Sequence, residues 1–168
     1  MQPSIPVLSD PIIGRLASGE VVVDRCNSHL HESVLPLLPE ALSHLESARR
    51  GFILAQVDFD RIVGESVCVT TELRDQIVYA QRPKRFGLTR FVKNRKPEPC
   101  KSVVVILKTA DGQPGAYVLV TAFIGQKAEP EPWDRNATAN SREFWNSHAL
   151  VWGAEPIIEA TETPVCPW

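Results

Sequence analysis

The chain has 168 residues, 43% of them hydrophobic and 23% charged, with a formal net charge of −2. That length and composition suit one globular domain with a real core and exclude a disordered or low-complexity chain. No apolar run reaches the roughly 18 residues of a membrane-spanning helix, so no membrane association is expected.

In chain order, residues 1–20 are rich in Pro, Ser and Gly and read as an irregular lead-in, without the basic start and apolar run of an export signal. From Ser28 to Arg50 the period is helical, with Leu30, Val34, Leu38, Leu42 and Leu45 recurring every three or four residues. Pro36 and Pro39 divide that stretch into two predicted helices, Pro39 at the first turn of the second and Gly51 closing it. After Gly51 the period changes to that of strands. The runs are "FILAQVDF", "SVCVTT", "QIVYAQ", "GLTRFV", "KSVVVILKT" and "AYVLVTAFIG". The last two flank "ADGQPG", which favours a hairpin, and their continuous apolar character predicts central strands. A Pro-rich loop leads to "NSREFWNSHAL", where Asn140 and Glu143 have capping-box spacing for a short helix; residues 153–168 read as an irregular tail. The predicted fold is α+β in a single domain, 1–168: N-terminal helices, a mainly antiparallel sheet, and a short C-terminal helix.

Charge is not evenly spread. Between Arg82 and Lys101 there are eight Lys/Arg and one acid, Glu98, whereas the rest of the chain has 10 Lys/Arg against 19 Asp/Glu. Cations threaded with aromatics can form a groove for single-stranded nucleic acid, the cations meeting phosphates and the rings stacking on bases. RNA is therefore the expected partner, with Arg82, Lys84, Arg85, Arg90, Lys93, Arg95 and Lys96 as phosphate contacts and Phe86, Phe91 or Tyr79 as stacking platforms. The competing readings are a plain solvated face and a surface for an acidic protein partner or inhibitor. In a strand "LTRFV", Leu88, Arg90 and Val92 share one face, so Arg90 must be paired, snorkelling or facing a ligand.

The sequence contains no Walker loop, dinucleotide fingerprint, zincin motif or nucleophile elbow, and no cofactor is expected. The four cysteines, Cys26, Cys68, Cys100 and Cys166, are scattered without a C-x-x-C pair. That favours reduced thiols in a cytoplasm over a disulfide framework or a metal site. Metal-free cleavage of RNA by its own 2′-hydroxyl would need a base, an acid, and cations or hydroxyls around the phosphorane. His148, one helical turn beyond Phe144 and Trp145, is a candidate acid or base, or else a core histidine. His29 and His31 would diverge on a helix, so only one of them could face a site. Thr121 interrupts the most apolar strand on the face of Tyr117, Leu119 and Phe123, as a hydroxyl donor or a plain β-former. Tyr79 ends a strand just before the basic run, where it could reach a phosphate or cap the core.

The order of helix, basic strand "RFGLTRFV", apolar strand "SVVVILK", hairpin and "YVLVTAFIG" resembles the barnase–EndoU–colicin–RelE-like class of small ribonucleases, many of them toxins. The resemblance covers roughly residues 28–125 and implies a compact α+β fold and metal-independent cleavage. It also implies an Arg position at Arg85 or Arg90, a Thr position at Thr121 and an early acid–base position at His31. His148 lies outside the shared pattern. The function expected is a metal-independent endoribonuclease of toxin or phage-defence type; the alternative is a non-catalytic RNA-binding or protein-interaction module using residues 82–101.

Overall fold

The computed structural model describes residues 11–24, 30, 32–47, 51–110 and 115–168. Among these residues 41% lie in strands, arranged in three sheets, and only 10% in helices. The predicted α+β order of helices followed by a sheet is therefore corrected to a mostly β architecture. The reason lies in the two prolines. Pro36 and Pro39 restrict the segment to a 3-10 turn, Leu35–Leu37, and a five-residue helix α1, Leu38–Leu42. The apolar spacing still served the core: Val34, Leu38 and Leu42 are buried, and Leu30 and Leu45 pack against them. Two segments expected to be irregular also contribute strands, β1 (Ile12–Arg15) in the lead-in and β12 (Ile158–Thr163) in the tail.

The chain divides into two compact units, residues 1–64 with 100–126, and residues 65–99 with 127–168. The first unit carries β1, β2 (Val21–Val23), β3 (Phe52–Asp58), β9 (Ser102–Thr109) and β10 (Ala116–Ile124) in the sheet order β1-β2-β10-β9-β3. β9 and β10 pair antiparallel at its centre, as near-continuous apolar strands should, and β2 joins β10 in parallel. Val57, Val103, Val105, Leu107, Tyr117 and Leu119 form its core with the residues of α1.

β10 holds an irregularity that decides the place of Thr121. Leu119 pairs with Leu107, but Ile106 pairs with Thr121, so Val120 is an extra residue in the ladder. The bulge reverses the alternation: beyond it Ala122 and Ile124, rather than Thr121 and Phe123, continue the core face of Tyr117 and Leu119. Thr121 thus stands half-buried on the opposite face, beside the partly exposed Phe123.

The second unit is built on β5 (Cys68–Thr70), β6 (Ile77–Gln81), β7 (Leu88–Val92), β11 (His148–Val151) and β12, ordered β12-β6-β7-β11-β5. β6 and β7 form an antiparallel hairpin, and β11 runs parallel to β7. Each sheet face has its own apolar cluster, Val69, Val92, Ala149 and Val151 on one and Ala80, Phe91, Trp145 and Leu150 on the other. Helix α2 (Ser141–Ser147) runs straight into β11. Its expected capping box is not made: the Asn140 side chain caps nothing, and the Ser141 hydroxyl instead accepts the Thr138 N–H at 2.9 Å. Two further strands, β4 (Gly64–Ser66) and β8 (Glu98–Cys100), form a separate pair.

Candidate nucleic-acid interface

The basic segment occupies the β6–β7 hairpin and the loop after it. Its tip is a tight turn in which the Arg85 N–H donates to the Arg82 carbonyl at 3.1 Å. Pro83 supplies the fixed φ of the second turn position and Lys84 takes a φ of 64° at the third, the pattern of a type II turn. That left-handed conformation is costly for a lysine and persists because both flanks are held. On one flank the Gln81 amide donates to the Arg85 carbonyl at 2.6 Å. On the other, Gly87 lies so close to the ring of Trp133 that no Cβ would fit there.

Half of the eight cations are committed to the fold. Arg82 is nearly enclosed: it donates to Glu131, to Glu155 at 3.0 Å and through Nε to the Thr89 hydroxyl at 3.1 Å. Arg90 donates to the Thr71 hydroxyl at 2.8 Å and to the His148 carbonyl at 3.0 Å, while its buried Nε has no hydrogen-bond partner among the described residues. Lys93 pairs with Glu162 at 2.7 Å and lies over the Trp152 ring, 4.5 Å from its centre. Arg95 bridges Asp75 at 3.0 Å and Glu98 at 2.8 Å. The Glu72 amide, and then Arg95, hold the Asp75 carboxyl below its usual range. Lys84, Arg85, Lys96 and Lys101 are exposed and have no acidic partner among the described residues.

The aromatics sort as sharply. Phe86, at the hairpin tip, is 95% exposed, whereas Phe91 is fully buried. Tyr79 is buried too, edge-on to Trp168 at 5.4 Å. Burial, and then the Cys166 thiol beside it, raise the Tyr79 phenol above its ordinary value, with Arg90 pulling the other way. Of the three proposed stacking platforms, only Phe86 presents its ring to solvent.

The candidate catalytic residues of the second unit do not share one face of its sheet. His148 is not on the helix but at its extended C-cap, as the first residue of β11. Its ring stacks flat on Phe144 at 3.9 Å, with Nδ1 2.9 Å from the Phe144 carbonyl. A carbonyl can only accept, so that contact is a hydrogen bond only when Nδ1 carries the proton, leaving Nε2 as the basic nitrogen of a neutral ring. Leu150 pairs with Phe91 and Val151 with Val92, so Ala149 falls level with Arg90. Strand alternation then puts Ala149 and Arg90 on one face and His148 with Leu150 on the other. Arg90 grips the His148 backbone, while the imidazole projects from the opposite face. Thr121 belongs to the first unit and the other described candidates to the second. His31 lies outside the described residues.

The acids that answer the basic run, Glu131, Glu155, Glu162 and Asp75, were missed at the sequence level; the only signal was the excess of acids elsewhere in the chain. Glu131 is buried, and its second oxygen has no partner among the described residues. Burial, and then this carboxylate, push the Cys68 thiol up to about 11. Iodoacetamide at about pH 8 is therefore expected to label the exposed Cys166 and leave Cys68 unreacted, Cys68 labelling only as the pH approaches that high value. Peptide mapping after a timed pulse checks this.

Among the described residues no group of three or more His, Cys, Asp or Glu could hold a metal ion, and no helix is long and apolar enough to cross a membrane. No known protein family, curated protein or solved structure matches the chain.

Proposed function

We propose that this protein is a single-stranded RNA-binding module of the cytoplasm and that the β6–β7 hairpin tip is its contact surface. The observation that carries the reading is Phe86, an almost fully exposed ring flanked by Lys84 and Arg85, neither of which has an acidic partner among the described residues. Burying that ring against a base would remove apolar surface from water, and base–aromatic stacking contributes about 1–3 kcal/mol per base. The two cations would neutralise flanking phosphates and release counterions. Arg82, Arg90, Lys93 and Arg95 brace the hairpin rather than contact the ligand. The widely spaced thiols Cys68, Cys100 and Cys166, all free, suit a reducing compartment.

Fluorescence anisotropy with a labelled single-stranded RNA tests this. Wild-type affinity should fall as salt rises, and Lys84→Ala with Arg85→Ala should lower the salt slope by about 1.4, at roughly 0.7 per single-strand phosphate contact. Phe86→Ala should weaken binding by roughly 5- to 150-fold with the slope unchanged. Absence of wild-type binding at low salt would overturn the reading.

One observation favours a second reading, metal-independent RNA cleavage of the barnase–EndoU–colicin–RelE-like kind: His148 Nδ1 lies 2.9 Å from the Phe144 carbonyl and 3.0 Å from the Ser147 hydroxyl, and in the tautomer that donates to the carbonyl Nε2 is the acceptor nitrogen. Arg90 faces away from that ring, so the phosphorane cation would have to come from elsewhere. Incubation with labelled RNA and EDTA distinguishes the two. Fragments ending in a 2′,3′-cyclic phosphate, lost in His148→Gln, would establish the enzyme; intact RNA would leave the binding module.

A further inference from the structure

The last strand of the second unit is arched. Ile158 pairs with Gln81 and Thr163 with Tyr79, so the four residues from Glu159 to Glu162 stand opposite Ala80 alone. Thr161 holds the arch: its hydroxyl accepts the Gln81 N–H at 2.8 Å and donates to the Ile158 carbonyl at 2.6 Å. In a regular strand Glu159 and Glu162, three residues apart, would point to opposite faces. Here both line one cavity of about 600 Å³, together with Trp152, Glu155 and Ile157 from the turn after β11. That volume lies within the range of small-ligand sites.

The walls of this cavity are a large aromatic ring and three carboxylates, and the carboxylates are not equally satisfied. Glu155 accepts from Arg82 at 3.0 Å and Glu162 from Lys93 at 2.7 Å, whereas Glu159 is exposed and has no partner among the described residues. An ammonium group already rests against this wall. Lys93 does not line the cavity, yet its Nζ lies over the Trp152 ring, 4.5 Å from the centre, while it bonds Glu162. An aromatic face joined to a carboxylate is the arrangement that recognises ammonium ions, the ring quadrupole and the negative charge acting together. We propose that the cavity binds an alkylammonium ligand, its charge held by Glu159 and the Trp152 ring and its carbon chain laid on Ile157. Lys93 shows the interaction in miniature, with the chain's own ammonium on the same ring. The ligand carries the charge opposite to that of RNA, so this site stands independently of the hairpin tip. Two sources share the chemistry, a free aliphatic amine and a lysine side chain of a peptide.

Isothermal titration calorimetry on the full chain is the test, with the diamine putrescine in one arm and a capped Gly-Lys-Gly peptide in the other. Binding by putrescine alone identifies a free amine, and binding by the peptide alone identifies a lysine side chain; either supports the site. 1,4-Butanediol, as long as putrescine but uncharged, should not bind. Glu159→Gln keeps the shape of an exposed side chain, so the fold should stand while affinity falls roughly 10- to 150-fold, the loss of a hydrogen bond to a charged group. Lys93→Met frees both Glu162 and a face of Trp152 and should tighten binding roughly 2- to 5-fold, a gain that damage to the fold cannot imitate. No binding of either probe up to about 10 mM, where even a weak site would fill, would overturn the proposal. Equal binding of the diol, or an affinity indifferent to Glu159→Gln, would overturn it as well.

Discussion

Arg82→Ala is expected to lower the stability of the second unit by about 3–5 kcal/mol, the usual cost of leaving a buried charge without its partner. Arg82 and Glu131 expose only 14% and 10% of their side chains, and Glu131 already has one oxygen without a hydrogen-bond partner among the described residues. Removing the guanidinium also strips the Thr89 hydroxyl, fully buried on β7, of its donor. The variant Arg82→Ala with Glu131→Gln should recover part of the loss, because the stranded charge is gone. A double mutant as unstable as the sum of its parts would show that Arg82 and Glu131 act independently. Tryptophan fluorescence is the right probe in urea, since Trp133, Trp145, Trp152 and Trp168 all belong to the second unit.

Phe91→Ala and Phe86→Ala, five residues apart in one basic run, should behave as opposites. Phe91 is wholly buried with Ala80, Trp145 and Leu150 and meets Trp152 edge-on at 5.5 Å. Its truncation should cost about 3–5 kcal/mol through lost burial and the cavity left behind. Phe86 touches little, so its truncation should change stability by no more than about 0.5 kcal/mol. Urea midpoints measured on the two variants side by side decide it, and a large loss in Phe86→Ala would mean that the ring is structural.

Those two phenylalanines also mark where sequence reading stops. Alternation within "LTRFV" correctly separates Arg90 from Phe91, because side-chain period is a local property of a strand. Whether a ring points at protein or at water depends on what covers the face, and for Phe91 the cover is Trp145 and Leu150, more than fifty residues away. The same distance hid β2 and β12, and β1 pairs only with β2 among the described residues. Val21 finds its partner at Ala116 and Thr163 finds its partner at Tyr79, so short strands in Pro- and Gly-rich surroundings look irregular until those partners arrive. The long runs of β3, β9 and β10 were legible because their apolar content alone demands burial. Helix signals failed where a proline-broken pattern was extended into two helices. The phase of Thr121 failed for want of one extra residue, Val120, that no propensity marks. The candidate site was half legible: the cations were visible as a cluster, but the acids that occupy Arg82, Lys93 and Arg95 come, Glu98 apart, from segments on either side, as do the hydroxyl and carbonyl that hold Arg90.

The order of segments also bears on how the chain is made. β3 ends at Asp58, and its ladder partner β9 begins only at Ser102, after the first stretch of the second unit has been synthesised. At about 5–20 residues per second, β3 waits several seconds on the ribosome with both edges bare. The sheet it belongs to cannot close until β10 has followed. The first unit cannot be completed until residue 126 has been made, so an aborted or proteolysed chain ending before residue 100 would carry "FILAQVD" without its ladder partner, an apolar strand of the kind that pairs with other chains.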